Sequence, residues 1–526
     1  MDLSYLSSNL LNAASGQADV LVSTALTHAK ALPLAGWFDF SWGGDMSAID
    51  LNEWVSGVIS QQPVVGFFQW FFIIYFLVLC TIYLLLEMVA ISYIKNYMDN
   101  RSLNVLPRAY KKYFRPISVL VPAFNEMGSI VQTVQSLLRL NYPEFEIIVI
   151  NDGSTDDTLG QLRMAFDLQP FAEAYRDRLK TMPVRQVYNS RRYANLRVID
   201  KENGGKSDSL NAGINLARYP LYCCMDADSI LLPESLLLLA KPFLEDTNTV
   251  AAGGTVRILN DCKLFGGFFV KARLPKSMLA QIQVVEYLRA FLFGRLGWAP
   301  LNALLIISGA FGLFHKETVI EVGGYRNDTI GEDMEIVVRM HRYLRNRDRD
   351  FRIAFVPDPV CWTLAPENLN ALKNQRMRWQ RGLAESLWRN LGLLFNPKSG
   401  FAGWLAMPYM IIFELFSPVI ELAGFVFMIL GFVFDFISIK ALIAFLVVSI
   451  GLGMLISLLA LLLEIISYRL YKRPLEVATL LFAVVFDNIG YRQLVLFFRF
   501  LGLLNWIFVP KRRWGQVRHQ HNMANT

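Results

Sequence analysis

The sequence predicts a globular α/β domain with a mixed, mostly parallel sheet, embedded in an α-helical transmembrane protein. Three observations carry this prediction. Hydrophobic residues make up 54% of the 526 residues, which is rich for a wholly soluble chain. Residues 64–86 are uncharged and long enough to cross about 30 Å of hydrocarbon. Between residues 115 and 365, short apolar runs alternate with amphipathic stretches, which is typical of strands joined by crossover helices.

The formal net charge of +7 does not by itself indicate a nucleic-acid partner. The basic residues flank apolar segments instead of forming one stripe, so membrane topology explains them and we expect no nucleic-acid binding. The five cysteines have neither a paired zinc spacing nor the density of a secreted disulfide framework, and the five histidines are scattered. We therefore expect reduced, mostly buried thiols, no histidine-rich metal site and no cleavable signal peptide.

The N-terminal part of the chain is expected to hold one membrane span. Residues 1–60 are acidic and aromatic, and we interpret them as an outer-face or interfacial segment. Residues 61–92 contain the first transmembrane helix, and cationic residues follow it from Lys95 onward. Because cytoplasmic flanks are enriched in such residues, the N-terminus is expected outside. The α/β domain, residues 93–385, is then cytoplasmic, and the chain is a multi-pass protein of the inner membrane.

The C-terminal region, residues 386–526, is expected to combine interfacial helices, transmembrane helices and a basic cytoplasmic tail. Two apolar runs, residues 416–437 and 441–463, are candidate spans joined by a very short outer link. The cationic stretch "YRLYKRP", residues 468–474, returns the chain to the inner side, so the link is expected on the outer side.

The last apolar stretch, residues 475–509, has a different character. Asp487, Arg492 and Arg499 interrupt it. These charges favour helices that lie in the plane of the membrane, with a tight hairpin as the alternative.

Acidic side chains follow two predicted strands of the α/β domain. Asp152 comes directly after "FEIIVIN", and Asp226 and Asp228 come directly after "LYCCM". Ligands bind at the carboxyl ends of the strands in such sheets. Two carboxylates one residue apart suit Mg²⁺ or Mn²⁺, which commonly bridge a protein to phosphate oxygens, so the pair points to a nucleotide diphosphate. The alternative is a turn at Asp152 and two solvated loop acids.

The segment "KENGGKSDSLNAG", residues 201–213, lies between these acids. Adjacent glycines before a helix start allow backbone amides to approach phosphate closely, and Lys206 would add positive charge. The glycine spacing is not that of a Walker loop, and no GxGxxG follows the first strand. The alternative is a glycine turn with an exposed lysine.

Glu332 and Asp333 stand at the beginning of a helical pattern. A helix N-terminus stabilises a carboxylate, which suits a capping acid and equally suits a base that orients a hydroxyl and takes its proton during attack. The spacing alone does not separate these two roles for Asp333.

The stretch "LKNQRMRWQRGL", residues 372–383, predicts a helix that starts near Pro366. Gln375, Arg378 and Trp379 share one helical face, which would suit a diphosphate clamp beside a ring that stacks on a sugar. The alternative is an interfacial helix with a snorkelling basic rim. We assign that rim to three further cations of the stretch, which are Lys373, Arg376 and Arg381.

Taken in order, these motifs resemble the processive family 2 glycosyltransferases of membranes, the group that contains cellulose, chitin, hyaluronan and poly-N-acetylglucosamine synthases. The resemblance runs from about residue 115 to 385. It rests on "VPAFNE", "NDGSTDD", "NGGKSDSLNAG", "DAD" at 226–228, "SGAFGLF" at 308–314, "GED" at 331–333 and "QRMRW" at 375–379.

The resemblance implies a GT-A fold that uses a nucleotide sugar, usually a UDP-sugar, together with Mg²⁺ or Mn²⁺. It implies that Asp333 is the general base and that inversion gives a β-linkage. The implied metal ligands are Asp228 and Asp226. The implied donor-binding residues are Asp152, Lys206, Asp226, Gln375, Arg378 and Trp379, and the implied acceptor-binding residues are Ser308, Gly309 and Trp379.

The leading functional hypothesis is a processive, inverting β-glycosyltransferase that polymerises a sugar and exports the polysaccharide through its own transmembrane region. Glu414, Glu421 and Asp435 would line the polar path, because intramembrane carboxylates usually face protein or water. One alternative is a transferase that adds a single sugar to a lipid carrier or glycolipid. Another is a non-catalytic membrane scaffold or export subunit.

Two departures from the family pattern limit what the resemblance implies. The "GED" triplet differs from the "TED" of cellulose synthases and the "GDD" of hyaluronan-type synthases, so it does not identify the sugar. The short C-terminal tail leaves no room for a cyclic-di-GMP-binding domain. The expected partners are therefore the nucleotide sugar, the growing polysaccharide, membrane lipids and an accessory export or regulatory subunit.

Overall fold

The computed structural model describes residues 62–99, 113–173, 175–265 and 268–509. The predictions for residues 1–60 and for the basic tail after residue 509 lie outside these residues. All five cysteines are described and buried as free thiols, as expected.

The α/β domain is built on one large sheet. Its strands are β1 (Ile117–Ala123), β2 (Phe145–Asp152), β3 (Leu168–Pro170), β4 (Val184–Ser190), β5 (Leu196–Lys201), β6 (Leu221–Met225), β7 (Ile230–Leu231), β8 (Thr249–Ile258), β11 (Phe311–His315) and β12 (Arg352–Thr363). Their order is β3-β4-β5-β2-β1-β6-β11-β8-β12-β7. A separate hairpin consists of β9 (Lys263–Phe265) and β10 (Phe268–Lys271).

The centre of the sheet is parallel and its flanks are antiparallel. Strands β5, β2, β1 and β6 run in one direction, and β11 enters antiparallel between β6 and β8. The prediction of a mixed sheet is confirmed, but parallel pairing is confined to this centre and to the β8–β12 pair. The central strands are rich in Val, Ile and Leu because helices cover both faces of a parallel sheet.

Helices connect the strands and cover the sheet. They are α2 (Ile130–Leu137), α3 (Thr158–Phe166), α4 (Lys206–Leu216), α5 (Ser235–Glu245), α6 (Met278–Leu288), α7 (Lys316–Glu321), α8 (Glu332–Asn346) and α9 (Leu369–Arg389). A wider helical turn, Arg289–Arg295, continues α6. Helix α9 begins at Leu369 rather than at Pro366, because the Asn368 side chain accepts a hydrogen bond from the Ala371 amide and caps it.

The remaining helices form an apolar bundle. They are α1 (Pro63–Asp99), α10 (Ala402–Leu415), α11 (Ser417–Val433), α12 (Ile439–Ser467) and α13 (Pro474–Phe508). Among the described residues, α1, α12 and α13 are each long and apolar enough to cross a membrane, and α10 with α11 makes a fourth candidate bent by 47°. The chain is thus a membrane protein with an α/β domain.

Helix α13 covers almost all of residues 475–509, the stretch for which in-plane helices are predicted, and it is long and apolar enough to cross a membrane. It is 35 residues long and is interrupted only at Ile489 and Gly490, where the backbone leaves the helical region. The charges that argued against a span have partners inside the bundle. These pairs are Arg492–Glu421 at 3.4 Å, Arg499–Glu414 at 2.9 Å and Asp487–Arg289 at 2.5 Å. Paired in this way, the charges are not left uncompensated in a medium of low polarity.

Candidate active site

Four chain segments meet at one edge of the sheet. Strands β2 and β6 end there at Asp152 and Met225, and β11 begins there because it runs antiparallel, with Phe311 opposite Met225. The loop before β11 brings Ser308 and Gly309 to the same edge, and the first turn of α8 adds Asp333. The sheet topology thus gathers residues that are up to 181 positions apart, from Asp152 to Asp333.

Asp152 is buried and engages the glycine loop. Its side chain is 2% exposed. Its carboxylate pairs with Lys201 Nζ at 2.6 Å and accepts hydrogen bonds from the Gly204 and Gly205 amides at 3.0 and 2.8 Å. The two glycine amides, which the sequence suggested for phosphate binding, are therefore occupied by Asp152. Gly205 has a φ of 90°, a left-handed conformation that a side chain would disfavour.

Lys201 is a residue that the sequence analysis missed. It lies opposite Asp152 in the β2–β5 register and is fully buried, and its ammonium also pairs with Asp208 at 2.7 Å. The sequence signal for Lys201 was a lysine at the end of an apolar strand, directly before "ENGGK". Lys201 holds the loop and the start of α4 together through two carboxylates.

Lys206 lies at the centre of an anionic cluster. Its Nζ is 2.5 Å from Asp226 Oδ1 and 3.4 Å from Glu332 Oε1, and it donates to the Gly309 carbonyl at 3.3 Å. Burial alone would lower the pKa of Lys206, but the negative charges of Asp226 and Glu332 raise it well above its ordinary value. The lysine is cationic at neutral pH and is not the exposed side chain of the alternative hypothesis.

Asp333 is aimed into the site by backbone amides. It lies in the first turn of α8, and Gly331 occupies the capping position. Its Oδ2 accepts a hydrogen bond from the Gly309 amide at 3.0 Å, and its Oδ1 accepts one from the Met334 amide at 2.9 Å. Because Asp333 is not the capping residue and bonds to the acceptor-side loop, the geometry suits a base more than a cap.

Glu332 is the second acid of this turn. Burial raises the pKa of Glu332, and the neighbouring Asp333 adds to the increase, whereas Lys206 opposes it. A small pocket, of about 220 Å³ including its opening, lies among Lys206, Ser308, Gly309, Glu332 and Asp333. The acceptor residues implied by the resemblance thus border the same space as Asp333.

Asp226 and Asp228 could bind a divalent cation only if oxygen atoms of the substrate and of water supply the remaining ligands. Among the described residues, no three His, Cys, Asp or Glu side chains are grouped so as to hold a metal ion. Asp226 is 35% exposed at the end of β6, and Asp228 follows two residues later. Two hard oxygen donors fit Mg²⁺ or Mn²⁺, which complete their coordination with water and phosphate oxygens. The donor set therefore fits the metal that the resemblance implies.

Helix α9 carries the three residues that the resemblance assigns to donor and acceptor binding. Gln375 and Arg378 are half-buried and Trp379 is 44% exposed. The Oε1 atom of Gln375 is buried and has no hydrogen-bond partner in the part of the chain that the structure describes. These three residues share one face, as predicted.

The assignment of Arg376 and Arg381 to a basic membrane rim is wrong. Arg376 is 4% exposed and forms two hydrogen bonds of 2.8 Å to Glu286. Arg381 is 7% exposed and bonds to Glu385 at 3.1 Å and to Asn505 at 2.7 Å. Both guanidinium groups are buried and pair with carboxylates on the same or a neighbouring helix. Of the three cations, only the half-buried Lys373 still fits a basic membrane rim.

Helix α9 packs directly on the start of α8. The Ser386 hydroxyl donates to the Gly331 carbonyl at 3.2 Å, and the Ile330 amide donates to Glu385 Oε2 at 2.9 Å. Since Gly331 lies two residues before Asp333, this contact links the QRMRW helix to the candidate base.

Arg295 is a second cation that the sequence analysis missed. Its Nε and Nη1 atoms are buried and have no hydrogen-bond partner among the described residues, and its guanidinium lies 3.7 Å from the centre of the Phe291 ring. Burial lowers the pKa of Arg295 to about 10, and the negative charge of Asp333 partly offsets that effect. A lone arginine in the apolar run "AFLFGRLGW" was its only signal in the sequence.

A second cavity, of about 820 Å³ including its opening, lies within the helical bundle. Its lining includes Glu414 and Glu421, as the sequence analysis expected of a polar path, and Asp487 on α13. Asp435 does not line this cavity; it lies exposed in the link between α11 and α12.

Helix α9 is attached to the wall of this bundle cavity. The Gln380 side chain donates to the carbonyls of Glu414 and Leu415 at 3.3 and 3.0 Å. Arg499 also donates to the Glu414 carbonyl, at 2.5 Å, so Gln380 and Arg499 together supply donors to the two carbonyls at the bend between α10 and α11. Gln380 is adjacent to Trp379 in the sequence.

Two family models match the chain. "Glycosyl transferase family 2" matches residues 118–268, and "Glycosyl transferase family group 2" matches residues 223–486. Together they cover the α/β domain and most of the helical bundle.

Curated relatives match over the same region. A poly-β-1,6-N-acetyl-D-glucosamine synthase of Staphylococcus epidermidis is 29% identical over 320 residues, which are 61% of this chain and 66% of the relative. The synthase of that name from Staphylococcus aureus strain MSSA476 is 32% identical over 292 residues, 55% of this chain and 60% of the relative. The chain thus spans slightly less than two thirds of these relatives.

Among solved structures, a mannosyltransferase from Pyrobaculum calidifontis in complex with GDP-Man and Mn²⁺ is 17% identical, with a TM-score of 0.44, over 77% of this chain and 99% of that chain. A glucosyl-3-phosphoglycerate synthase from Mycobacterium tuberculosis, in complex with Mn²⁺, UDP and phosphoglyceric acid, is 18% identical with a TM-score of 0.32, over 52% of this chain and 80% of that chain.

The family models agree with the mixed sheet, with the acids at its strand ends and with the apolar helices. The chain belongs to family 2 of the glycosyltransferases, with a GT-A domain joined to a helical membrane region.

Proposed function

We propose that the protein is a processive, inverting β-glycosyltransferase that polymerises a sugar from a UDP-sugar and passes the polysaccharide into its own helical bundle. The observation that carries this proposal is the attachment of the Trp379 helix to both centres. Gly331 joins that helix to the Asp333 turn, and Gln380 joins it to the bend that borders the bundle cavity. A sugar chain stacked on Trp379 would thus lie between the reacting centre and the cavity.

The reaction requires a base on the acceptor side and positive charge on the leaving-group side. An acceptor hydroxyl oxygen attacks the anomeric carbon from the face opposite the diphosphate, the bond from that carbon to the diphosphate oxygen breaks, and the hydroxyl proton passes to Asp333. Inversion at the anomeric carbon gives a β-linkage. The Gly309 amide holds the Asp333 carboxylate beside the loop of Ser308 and Gly309, where the acceptor hydroxyl would bind.

Positive charge near the donor stabilises the departing diphosphate. Lys206 lies beside Asp226, and Arg378 lies half-buried on the same face of α9 as Trp379. A divalent cation bound by Asp226 and Asp228 would neutralise part of the diphosphate charge. The unpaired Gln375 oxygen can accept a hydrogen bond from a donor hydroxyl.

Asp152 acts in this proposal by shaping the donor site. It binds the amides of Gly204 and Gly205 and so fixes the loop that begins α4, whose first residue is Lys206. In this proposal, the nucleoside approaches Asp152 from the side of the Gly204–Gly205 loop that faces the donor.

The relatives suggest the first donor to test. Because they carry the name poly-β-1,6-N-acetyl-D-glucosamine synthase, UDP-N-acetylglucosamine is the first candidate, followed by UDP-glucose and UDP-glucuronic acid. We also propose a multi-pass location in the inner membrane with the catalytic domain in the cytoplasm, where nucleotide sugars occur.

Product mass tests the proposal directly. The full-length protein in detergent, with Mg²⁺ or Mn²⁺, would be given each UDP-sugar, and UDP release and product mass would be measured. We expect UDP release with one sugar and a ladder of long products, both lost in Asp333→Asn. A product one sugar longer than an added lipid acceptor would favour the single-transfer alternative, and no transfer with any donor would favour a scaffold.

A further inference from the structure

A buried polar network joins Trp379 to the membrane helices. Arg376 donates two hydrogen bonds to Glu286, one to each carboxylate oxygen, both at 2.8 Å. Tyr491, on α13, donates to Glu286 Oε2 at 2.8 Å and lies 3.4 Å from Arg376 Nη2. The guanidinium carbon of Arg376 lies 4.4 Å from the centre of the Trp379 ring. Three separate elements, α6, α9 and α13, thus converge beside one indole.

The geometry of this network restrains the indole. Two parallel hydrogen bonds fix a guanidinium in a plane, which a single ammonium bond does not do. The guanidinium is buried and covers one side of the Trp379 ring, while 44% of the residue remains exposed. Cation–π attraction then holds the indole against it and leaves the opposite side free for a sugar ring.

The network also borders the bundle cavity. Glu286 and Tyr491 both line it, and Tyr491 follows directly after the interruption of α13 at Ile489 and Gly490. Glu286 is thus shared by the network that contacts the indole and by the lining of the bundle cavity.

We infer that Arg376 is a positioning residue that, together with Glu286 and Tyr491, orients Trp379 toward the growing polysaccharide and so sets the length of the product. This inference rests on the proposed function, in which Trp379 contacts the sugar chain. In this inference Arg376 acts through the Trp379 ring, which it contacts, and not on the donor or the reacting atoms.

Arg381→Lys supplies a matched control for Arg376→Lys. Both arginines lie on α9, both are buried and both bond to a glutamate, but the structure records a ring contact only for Arg376. Each lysine keeps the charge and loses the planar fork. Tyr491→Phe supplies a milder variant, because it removes one hydrogen bond to Glu286 and leaves the ion pair.

A first experiment measures the indole directly. The full-length protein would be labelled with 5-fluorotryptophan, and the Trp379 resonance would be assigned with Trp379→Phe by ¹⁹F NMR in detergent. We expect Arg376→Lys to shift or broaden the Trp379 resonance, Tyr491→Phe to move it less, and Arg381→Lys to leave it in place. An unmoved resonance in Arg376→Lys would overturn the positioning role, whether or not the protein makes polymer.

A second experiment measures product length and donor kinetics. We expect Arg376→Lys to shorten the mean product at least about threefold, with the KM for the donor within about twofold of the parent value, because in the proposed function the Trp379 ring that Arg376 holds stacks on the growing chain. In a Trp379→Ala background the same substitution should shorten the product no further. Equal shortening with and without Trp379, or no shortening at all, would overturn the role of Arg376 in product length.

The two experiments separate this inference from the proposed function. If the parent protein makes only single-sugar products, the polymerase proposal and the role in product length both fail, while the ¹⁹F result still decides whether Arg376 orients the indole. If the parent makes polymer and the resonance moves without any change in length, only the role in length fails.

Discussion

Gly331 and Gly382 are in direct backbone contact. A Cβ added to Gly331 would lie 2.8 Å from the carbonyl carbon of Gly382, and a Cβ on Gly382 would lie 2.8 Å from Gly331 Cα. Only glycine at both positions allows α9 to approach the start of α8 this closely. The contact places the QRMRW segment against the turn that carries Asp333.

Gly382→Ala should therefore separate the two helices. We expect a loss of about 1–3 kcal/mol in stability from overpacking, together with reduced UDP release. Gly392→Ala is the control, because its added Cβ would meet only the Arg342 side chain at 3.6 Å. Thermal unfolding and UDP release of both variants check the prediction, and a Gly382→Ala protein as stable and active as Gly392→Ala would contradict it.

Asp333→Asn should abolish transfer and leave donor binding intact. The amide keeps the shape of the side chain but cannot take the acceptor proton, so we expect UDP release to fall about 10²- to 10⁴-fold. Donor affinity, measured by titration calorimetry, should change little because Lys206 and Asp226 are untouched. A variant with parental turnover would show that another group is the base.

Arg295→Met should slow the reaction. The buried guanidinium has two unpaired nitrogen atoms near Asp333, so it can stabilise negative charge on a bound substrate. Removing one such charged donor typically costs about 10²-fold in turnover. Arg295→Lys should recover part of the rate, and Lys276→Met, which removes an exposed cation, should have no effect. Unchanged turnover in Arg295→Met would assign Arg295 to packing alone.

His341 should make the protein less stable in mild acid. Burial lowers the pKa of His341 to about 4, and its Nε2–H donates to the Leu304 carbonyl at 2.9 Å. The unfolded chain binds the proton first as the pH falls below about 6.5, so stability is full above that pH and declines toward pH 4.

The expected loss between pH 7.5 and pH 5 is about 2 kcal/mol from this residue. His341→Gln keeps a donor for Leu304 and removes the titration, so its stability should depend less on pH over that interval. Thermal unfolding of the two proteins at both pH values measures the difference. Identical pH profiles would mean that His341 does not titrate differently in the folded state.

Glu414→Leu and Glu421→Leu should impair export of the polymer. Both carboxylates line the bundle cavity, and each substitution leaves its partner, Arg499 or Arg492, without a counter-charge. We expect polymer secreted from cells to fall while UDP release in detergent falls less. Asp435→Asn, at an exposed link, is the control. Unchanged secretion would show that the two glutamates do not line the conduit.

Local patterns were sufficient to predict much of this protein. The acids at the ends of β2 and β6, the acid at the start of α8 and the shared face of Gln375, Arg378 and Trp379 all follow from strand and helix periodicity. Such features depend on neighbours in the sequence, so they are visible without a fold.

The errors have one physical cause. Whether a charge is solvated or buried depends on its partner, and here the partners are distant in the sequence. Glu286 is 90 residues from Arg376, and the bundle pairs Arg492–Glu421 and Arg499–Glu414 are separated by 71 and 85 residues. Without its distant partner, Arg376 resembled part of a solvated rim. Arg381 pairs with Glu385 only four residues away, but its bond to Asn505 spans 124 residues.

The sequence by itself determined the family, the α/β domain with its order of motifs, and the apolar segments, because these follow from residue types and their periodicity. Only the tertiary structure decided that Lys201 and Asp152 are used to hold the glycine loop, that Arg376 restrains Trp379, and that the charges of α13 are paired inside the bundle. Those outcomes depend on which side chains the folded backbone brings within hydrogen-bond distance, and no local pattern encodes that distance.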